Sequence, residues 1–129
     1  MIVVDASALV EVLLGRSSAV LTRWLYDPAL TLHAPHLLDM EVAQVTRRYA
    51  ARGEIDGARG AAMLAALAAL PIQRHAQTRM LGRIWELRHN VTAYDAAYVA
   101  LAELLDAPLL TLDRRLATAA AHRARVILA

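Results

Sequence analysis

The chain contains no cysteine and no lysine, and each absence removes classes of function. Without cysteine there are no disulfides, no thiolate chemistry and no cysteine-ligated zinc. Without lysine there is no Walker A phosphate loop, no Schiff base and no lysine-dependent aspartyl-phosphate site of the receiver or haloacid-dehalogenase type. All fourteen basic residues are therefore arginine. Arginine suits phosphate recognition, although the codon bias of a GC-rich genome gives the same composition.

A strong charge imbalance and a long apolar run are also missing. The formal net charge is only +2, small for a chain with an extended basic face for nucleic acid. The longest apolar stretch, residues 61–70, is much shorter than the roughly 20 residues that span a bilayer. The first residues turn acidic too soon for a secretory signal. We therefore expect a cytoplasmic protein without a membrane anchor, and 129 residues that are 58% hydrophobic predict a single domain over residues 1–129.

Short apolar runs alternate with helical patterns along the chain. The predicted strands are residues 2–4, 31–34, 72–75, 109–112 and 126–128, the last at a sheet edge. The predicted helices begin after a cap at Ser7 and continue at 17–26, 36–52, 58–70, 78–89, 92–105 and 114–122. This alternation predicts an α/β fold, a parallel sheet sandwiched by helices.

Four acidic residues occupy positions that such a sheet brings to one edge. Asp5 and Asp113 each follow a predicted strand, and parallel strands end on the same side, where ligands bind. Glu41 and Asp95 fall in or near the first turns of two predicted helices. We therefore expect the four carboxylates to lie close together, where they repel one another unless they share protons or hold a metal ion.

Each acid also has a simpler explanation when it is considered alone. Asp5 is compatible with a turn, Asp113 with an N-cap, and Asp95 with a capping box that begins at Thr92. Glu41 is harder to explain in this way, because it interrupts an apolar row near its helix start. Four independent caps have no reason to meet at one sheet edge, and this convergence favours a shared site.

Carboxylate oxygens without histidine or cysteine suit Mg²⁺ or Mn²⁺ rather than zinc. Such ions activate water and neutralise the charge that builds up on a phosphodiester during attack. Ser7 and Thr111 each lie two residues from a proposed ligand and are candidates to hydrogen-bond those carboxylates, or are simply a helix cap and a strand residue. Arg114 and Arg115 are candidates for RNA phosphate binding, or are solvated at a helix start.

The histidines offer a weaker metal site. His33 and His36 have ligand-like spacing, but Pro35 lies between them and no further ligand completes the set.

Four segments together resemble PIN-domain proteins of the VapC type. They are IVVDASA at residues 2–8, LLDMEV at 37–42, LRHNVTAYDAAYVALAE at 87–103 and LTLDR at 110–114. The resemblance covers essentially the whole chain and keeps the family's order. It implies a PIN-like three-layer sandwich with a central, mostly parallel sheet and helices on both faces. The acidic quartet of the family matches Asp5, Glu41, Asp95 and Asp113.

The same resemblance implies a function and partners. It implies an Mg²⁺- or Mn²⁺-dependent endoribonuclease that acts as the toxin of a type II toxin-antitoxin pair. A cognate antitoxin would inhibit it across the active-site groove, and the chain would form a homodimer through its helices. Two alternatives remain open from the sequence: a housekeeping PIN-like nuclease without an antitoxin, and a non-enzymatic scaffold that binds RNA or protein.

Overall fold

A parallel five-stranded sheet organises the chain. The computed structural model describes residues 1–119 and 121–129. The strands are β1 (Ile2–Val4), β2 (Leu32–Pro35), β3 (Ile72–His75), β4 (Leu109–Thr111) and β5 (Val126–Leu128). They lie in the order β3-β2-β1-β4-β5, and every neighbouring pair is parallel.

Helices cover both faces of this sheet, as predicted. They are α1 (Ala6–Leu13), α2 (Ala19–Leu25), α3 (Leu37–Ala51), α4 (Gly57–Ala69), α5 (Leu81–Glu86), α6 (Ala93–Leu105) and α7 (Arg114–Thr118). Helices α1, α3 and α4 contact one another, whereas α6 packs on β1, β2 and β4 and carries α5. None of the helices described is long and apolar enough to cross a membrane.

The strands read as continuous apolar runs because helices bury them on both sides. The side chains of β1 are fully buried, as are Leu109 and Leu110 of β4. Helix α6 is buried over seven consecutive residues, from Ala96 to Ala102, as expected of a helix that is apolar all round.

The strand order creates a switch point beside β1. From β1 the chain builds β2 and β3 on one side and then crosses to β4 and β5 on the other. The crevice beyond the carboxyl ends of β1 and β4 is where open α/β sheets bind ligands. Val4 pairs with Leu110, so the residues that follow both strands emerge side by side.

Three helix predictions differ from the structure. Helix α1 begins at Ala6 with Asp5 at the N-cap, so Ser7 lies inside the first turn and is not the cap. The predicted helix 78–89 is a 3₁₀ turn, Gln77–Met80, followed by α5, which ends at Glu86.

The last predicted helix is also shorter than expected. Helix α7 ends at Thr118, and Ala120, which the predicted helix 114–122 includes, lies outside the described residues.

Candidate active site

One cavity of about 730 Å³ opens at the switch point, and all four predicted acidic residues line it. The lining residues are Asp5, Ala6, Ser7, Val10, Glu11, Leu37, Met40, Glu41, Gln44, Val45, Arg48, Tyr94, Asp95, Leu112 and Asp113. The structure therefore brings together carboxylates that follow β1 and β4 with carboxylates from α3 and α6. The remaining wall is largely apolar and comes mainly from α1 and α3, with Tyr94 of α6 and Leu112 after β4.

Asp5 is the most buried of the four, with 7% of its surface exposed. Its backbone N–H donates to the carbonyl of Leu110 on the adjacent strand, which fixes it at the sheet edge. Although Asp5 occupies the N-cap position of α1, its side chain makes no capping hydrogen bond. Its carboxylate is instead held by hydroxyl groups, so a helix-capping role does not account for it.

Two hydroxyls bind the same oxygen of Asp5. Ser7 and Thr111 each donate to Oδ2 at 2.7 Å, and their own oxygens lie 3.3 Å apart. Each hydroxyl has one hydrogen, so both hydrogens are used on Oδ2. Each hydroxyl oxygen also accepts a backbone N–H, from Leu112 and Asp113 respectively, at 3.0 Å. Within the described chain, Oδ1 of Asp5 receives no hydrogen bond and is available to a ligand.

This arrangement differs in one detail from the sequence prediction. Thr111 was expected to bond the carboxylate two residues away, that of Asp113. Its hydroxyl reaches the Asp5 carboxylate across the strand pair instead, and contacts Asp113 only through the backbone N–H. The cause is the parallel register of β1 and β4, which sets Thr111 beside Asp5.

Glu41 is fixed by a tyrosine from the buried helix. The hydroxyl of Tyr98, whose side chain is fully buried, donates to Glu41 Oε1 at 2.7 Å. Burial is the main cause that raises the pKa of Glu41, and the charges of Asp5 and Asp95 raise it further. The Tyr98 hydrogen bond opposes these effects by favouring the ionised carboxylate. Burial and the Glu41 charge likewise raise the pKa of Tyr98, which keeps it a hydrogen-bond donor.

Asp95 follows the helix cap at Thr92. The Thr92 side chain accepts the Asp95 N–H at 3.2 Å, as a cap residue does. Burial raises the pKa of Asp95 most, and the charges of Asp5 and Asp113 raise it further, whereas the Thr92 hydrogen bond and Arg115 lower it. Asp95 therefore interacts electrostatically with the other three acids of the cavity.

Asp113 combines two roles that the sequence left as alternatives. Its Oδ1 accepts the backbone N–H groups of Arg115 at 2.8 Å and Leu116 at 3.4 Å, so it caps α7. The same side chain lines the cavity and raises the pKa of Asp95. Capping therefore does not remove Asp113 from the cluster.

The donor set fits a hard divalent cation. It offers carboxylate oxygens in a partly buried cavity. Burial raises the pKa values of Glu41 and Asp95 there, and the neighbouring negative charges raise them further. In residues 1–119 and 121–129, no three His, Asp or Glu side chains are already close enough to enclose an ion. The carboxylates line the same cavity and interact electrostatically. Their side chains would have to move closer together to coordinate one ion.

The predicted arginine pair lies outside the cavity lining. Arg114 and Arg115 are both exposed, and the Arg115 guanidinium lies 3.9 Å from Asp113 Oδ1. Arg115 lowers the pKa of Asp95 through its charge, so its field reaches the acids. An RNA-binding role for either residue stays a prediction.

The histidines form a different pair from the one that their spacing suggested. His33 Nδ1 contacts His75 Nε2 at 2.9 Å, and its Nε2 contacts the Thr31 hydroxyl at 2.8 Å. His36 is exposed at the start of α3. The pairing arises because β2 and β3 are neighbours in the sheet.

The sequence reasoning did not assign roles to two residues of this region. Tyr98 lies three residues after Asp95 in an Ala- and Leu-rich helix, and a buried tyrosine hydroxyl needs a polar partner. Arg48 follows Glu41 by seven residues, nearly two helical turns, which places both on one face of α3. These spacings were visible in the sequence, but their meaning depends on how α3 and α6 pack.

Comparison with known proteins identifies the family. The PIN domain family matches residues 2–122. Ribonuclease VapC1 of Mycobacterium tuberculosis is 48% identical over 119 residues, which are 91% of this chain and 89% of that protein. Ribonuclease VapC9 of the same species is 46% identical over 116 residues, 90% of this chain and 88% of the relative. The chain belongs to the VapC-type PIN-domain ribonucleases.

A solved structure shares this fold. The crystal structure of PAE2754 from Pyrobaculum aerophilum superposes with a TM-score of 0.71 at 26% identity, covering 97% of this chain and 81% of that one. The predictions of the family, of the α/β fold and of ribonuclease function in a toxin-antitoxin system are confirmed. The extent of the domain, residues 1–129, stays a prediction, as does the cytoplasmic location.

Proposed function

We propose that Asp5, Glu41, Asp95 and Asp113 together bind Mg²⁺ or Mn²⁺ and form the catalytic centre of this VapC-type ribonuclease. The observation that carries the proposal is that four acids from separate elements line one cavity, with the pKa values of Glu41 and Asp95 raised partly by their acidic neighbours. Such repulsion is relieved by a bound cation.

The cation would supply positive charge at the scissile phosphate and lower the pKa of an attacking water. The protein's own contribution is to hold the donors. Ser7 and Thr111 fix one oxygen of Asp5 and leave the other for a ligand. Tyr98 fixes Glu41 and favours its ionised form. Outer hydrogen bonds of this kind orient ligands and increase metal affinity.

The substrate we propose is single-stranded RNA. Tyr94, which lines the cavity next to Asp95, is 65% exposed. Unstacked bases are commonly held on exposed aromatic side chains.

The inhibiting partner we propose is an antitoxin that covers the cavity and inserts a basic side chain among the four acids. Two features support it: the acidic cluster, which an arginine fork can pair, and the apolar wall beside it. That wall consists of Val10, Leu37, Met40, Val45 and Leu112, and Met40 is 72% exposed. Self-association into a homodimer stays a prediction.

Expression in bacteria tests the toxin proposal. The wild-type chain should arrest growth, and co-expression of the small gene that adjoins its own should restore growth. Asp5→Asn should be harmless, because it removes one carboxylate charge from the cluster. Asp27→Asn is the matched control: Asp27 is exposed and lies outside the cavity lining, so this variant should arrest growth like wild type.

Arrest that persists in Asp5→Asn would contradict the catalytic assignment. Arrest that no adjoining gene relieves would favour a nuclease without an antitoxin.

A further inference from the structure

The cavity contains one basic side chain among its described lining residues, that of Arg48. Five acids line the same cavity: the four proposed metal ligands and Glu11. A bound divalent ion offsets part of this negative charge near the ligands. An RNA strand that extends along the rest of the cavity needs a further positive charge to offset the repulsion between its phosphates and the acids.

Arg16, a second arginine near the cavity, already has protein partners. Arg16 donates to both oxygens of Glu11, at 2.6 and 3.2 Å, and to the Tyr49 hydroxyl at 3.1 Å. Arg48 is exposed and takes part in no ion pair or side-chain hydrogen bond within residues 1–119 and 121–129. Its guanidinium therefore has its full set of donors available to a ligand.

The geometry of α3 sets where Arg48 lies relative to the acids. Seven residues separate it from Glu41, a rotation about 20° short of two turns and a rise of about 10.5 Å along the helix. Gln44, which also lines the cavity, lies between them on this face. If an RNA strand places its scissile phosphate at the carboxylates, a neighbouring phosphate of the same strand would lie near Arg48.

We propose that Arg48 is a phosphate-binding residue for RNA, holding a backbone phosphate next to the one that is cleaved. An arginine fork can give two charge-assisted hydrogen bonds to one phosphate, which positions a strand without reading its sequence. The inference rests on the proposed function of the site, and it adds a substrate contact that lies outside the metal ligands.

The chain offers a matched control in the next residue. Arg47 is exposed on the same helix, forms no ion pair within the described residues and does not line the cavity. It points about 120° away from Glu41 around the helix axis. Arg47→Gln and Arg48→Gln therefore remove the same charge at nearly the same place, and only the second removes it from the cavity.

The experiment measures cleavage of a single-stranded RNA by the full chain with saturating Mn²⁺ at several salt concentrations. Arg48→Gln should raise KM about tenfold, with a smaller effect on kcat, and Arg48→Lys should recover part of the loss. The plot of log(kcat/KM) against log[salt] should become shallower by about 0.7, the value for one lost phosphate contact on a single strand. Arg47→Gln should change the slope and KM little.

A second readout separates substrate binding from damage to the fold. RNA affinity is measured by fluorescence anisotropy in a Glu41→Gln background, and the thermal shift with Mn²⁺ is measured in otherwise wild-type protein. Arg48→Gln should lower RNA affinity about tenfold while keeping the metal-induced shift of wild type.

Three results would overturn the inference. If wild type cleaves RNA and Arg48→Gln matches Arg47→Gln in KM and salt slope, Arg48 binds no phosphate, and the proposed function stands. If Arg48→Gln weakens antitoxin binding but leaves RNA affinity unchanged, the residue serves the protein partner. If wild type cleaves no RNA, the proposed function fails and the inference fails with it.

Discussion

Tyr98 holds Glu41 through a 2.7 Å hydrogen bond from inside the protein core. Because Tyr98 is fully buried, Tyr98→Phe should keep the packing and remove this bond, together with the contact between the hydroxyl and the backbone N–H of Ala6. We expect metal affinity to fall by about 10- to 100-fold, as for other groups that orient a metal ligand. The Tyr98 bond lowers the pKa of Glu41, so its loss should raise that pKa. Protons should then displace the metal at a higher pH than in wild type.

Metal titrations followed by thermal melting at several pH values measure both effects. Tyr26→Phe, at an exposed tyrosine, is the control and should leave metal affinity unchanged. Equal affinity in Tyr98→Phe and wild type would show that the Tyr98 hydroxyl contributes nothing to the metal site.

The sequence predicted the four acids of the cavity but assigned no role to Tyr98 or Arg48. Asp5 and Asp113 were predictable because each follows an apolar strand, and parallel strands end together. Tyr98 and Arg48 are single residues on helices, and their roles depend on which helix face meets the cavity. That face is set by the packing of α6 on the sheet and of α3 on α1, which a short spacing pattern does not encode.

At the scale of elements, the edge strand β3 is tied to β2 by more than its backbone ladder. His33 and His75 face each other across the pair, with nitrogens 2.9 Å apart and stacked rings. The contact needs one nitrogen to donate and the other to accept, so a proton on both facing nitrogens breaks it. Burial lowers the pKa of His33, and the charges of His75 and the N-terminus lower it further.

This pair predicts how stability depends on pH. The folded-state pKa of His33 is below its ordinary value of 6.5, so the folded protein favours neutral His33. The contribution of neutral His33 to the free energy of unfolding is fully present above pH 6.5. It is lost as the pH falls below that value, because the unfolded chain then binds the proton more readily than the folded protein does.

Urea unfolding at pH 7.5 and 5.5 measures this effect. Wild type should lose free energy of unfolding on acidification, and His33→Gln should lose less. An identical loss in both proteins would contradict the contribution of His33.

Element boundaries show where sequence patterns reach their limit. Ser7 is a good capping residue by type, yet α1 begins before it, because Asp5 leaves β1 directly into the helix. The Ser7 hydroxyl is used on the Asp5 carboxylate instead. In residues 78–89 the apolar spacing continues through a 3₁₀ turn into α5, and spacing alone does not separate the two helix types.

For the whole molecule, the acidic cluster should make stability depend on metal. The raised pKa values of Glu41 and Asp95 mean that their ionisation destabilises the folded state, a cost present at neutral pH and relieved as the pH falls through those values. A cation at about 100 times its dissociation constant adds about 2.7 kcal/mol, which raises Tm by on the order of 10 °C. The rise should be smaller at pH 5, where protons compete with the metal.

Asp5→Asn separates the metal effect from structural damage. Asparagine keeps an oxygen that can accept the Ser7 and Thr111 hydroxyls but carries no charge. The metal-free variant should therefore melt no lower than wild type and should lose most of the shift with Mn²⁺. A metal-free Tm far below that of wild type would show that Asp5 serves the fold rather than a metal site.

The central claim is that four carboxylates form one metal-dependent ribonuclease site, and the most direct test is the rate of RNA cleavage. A defined single-stranded RNA is incubated with wild type, Glu41→Gln and Glu54→Gln, each with Mn²⁺ and with EDTA. Glu54 is exposed outside this cavity, so its variant controls for the loss of a carboxylate charge. Wild type and Glu54→Gln should cleave only with Mn²⁺, and Glu41→Gln should be slower by about 100-fold or more. Cleavage by Glu41→Gln at the wild-type rate, or wild-type cleavage that persists in EDTA, would contradict the claim.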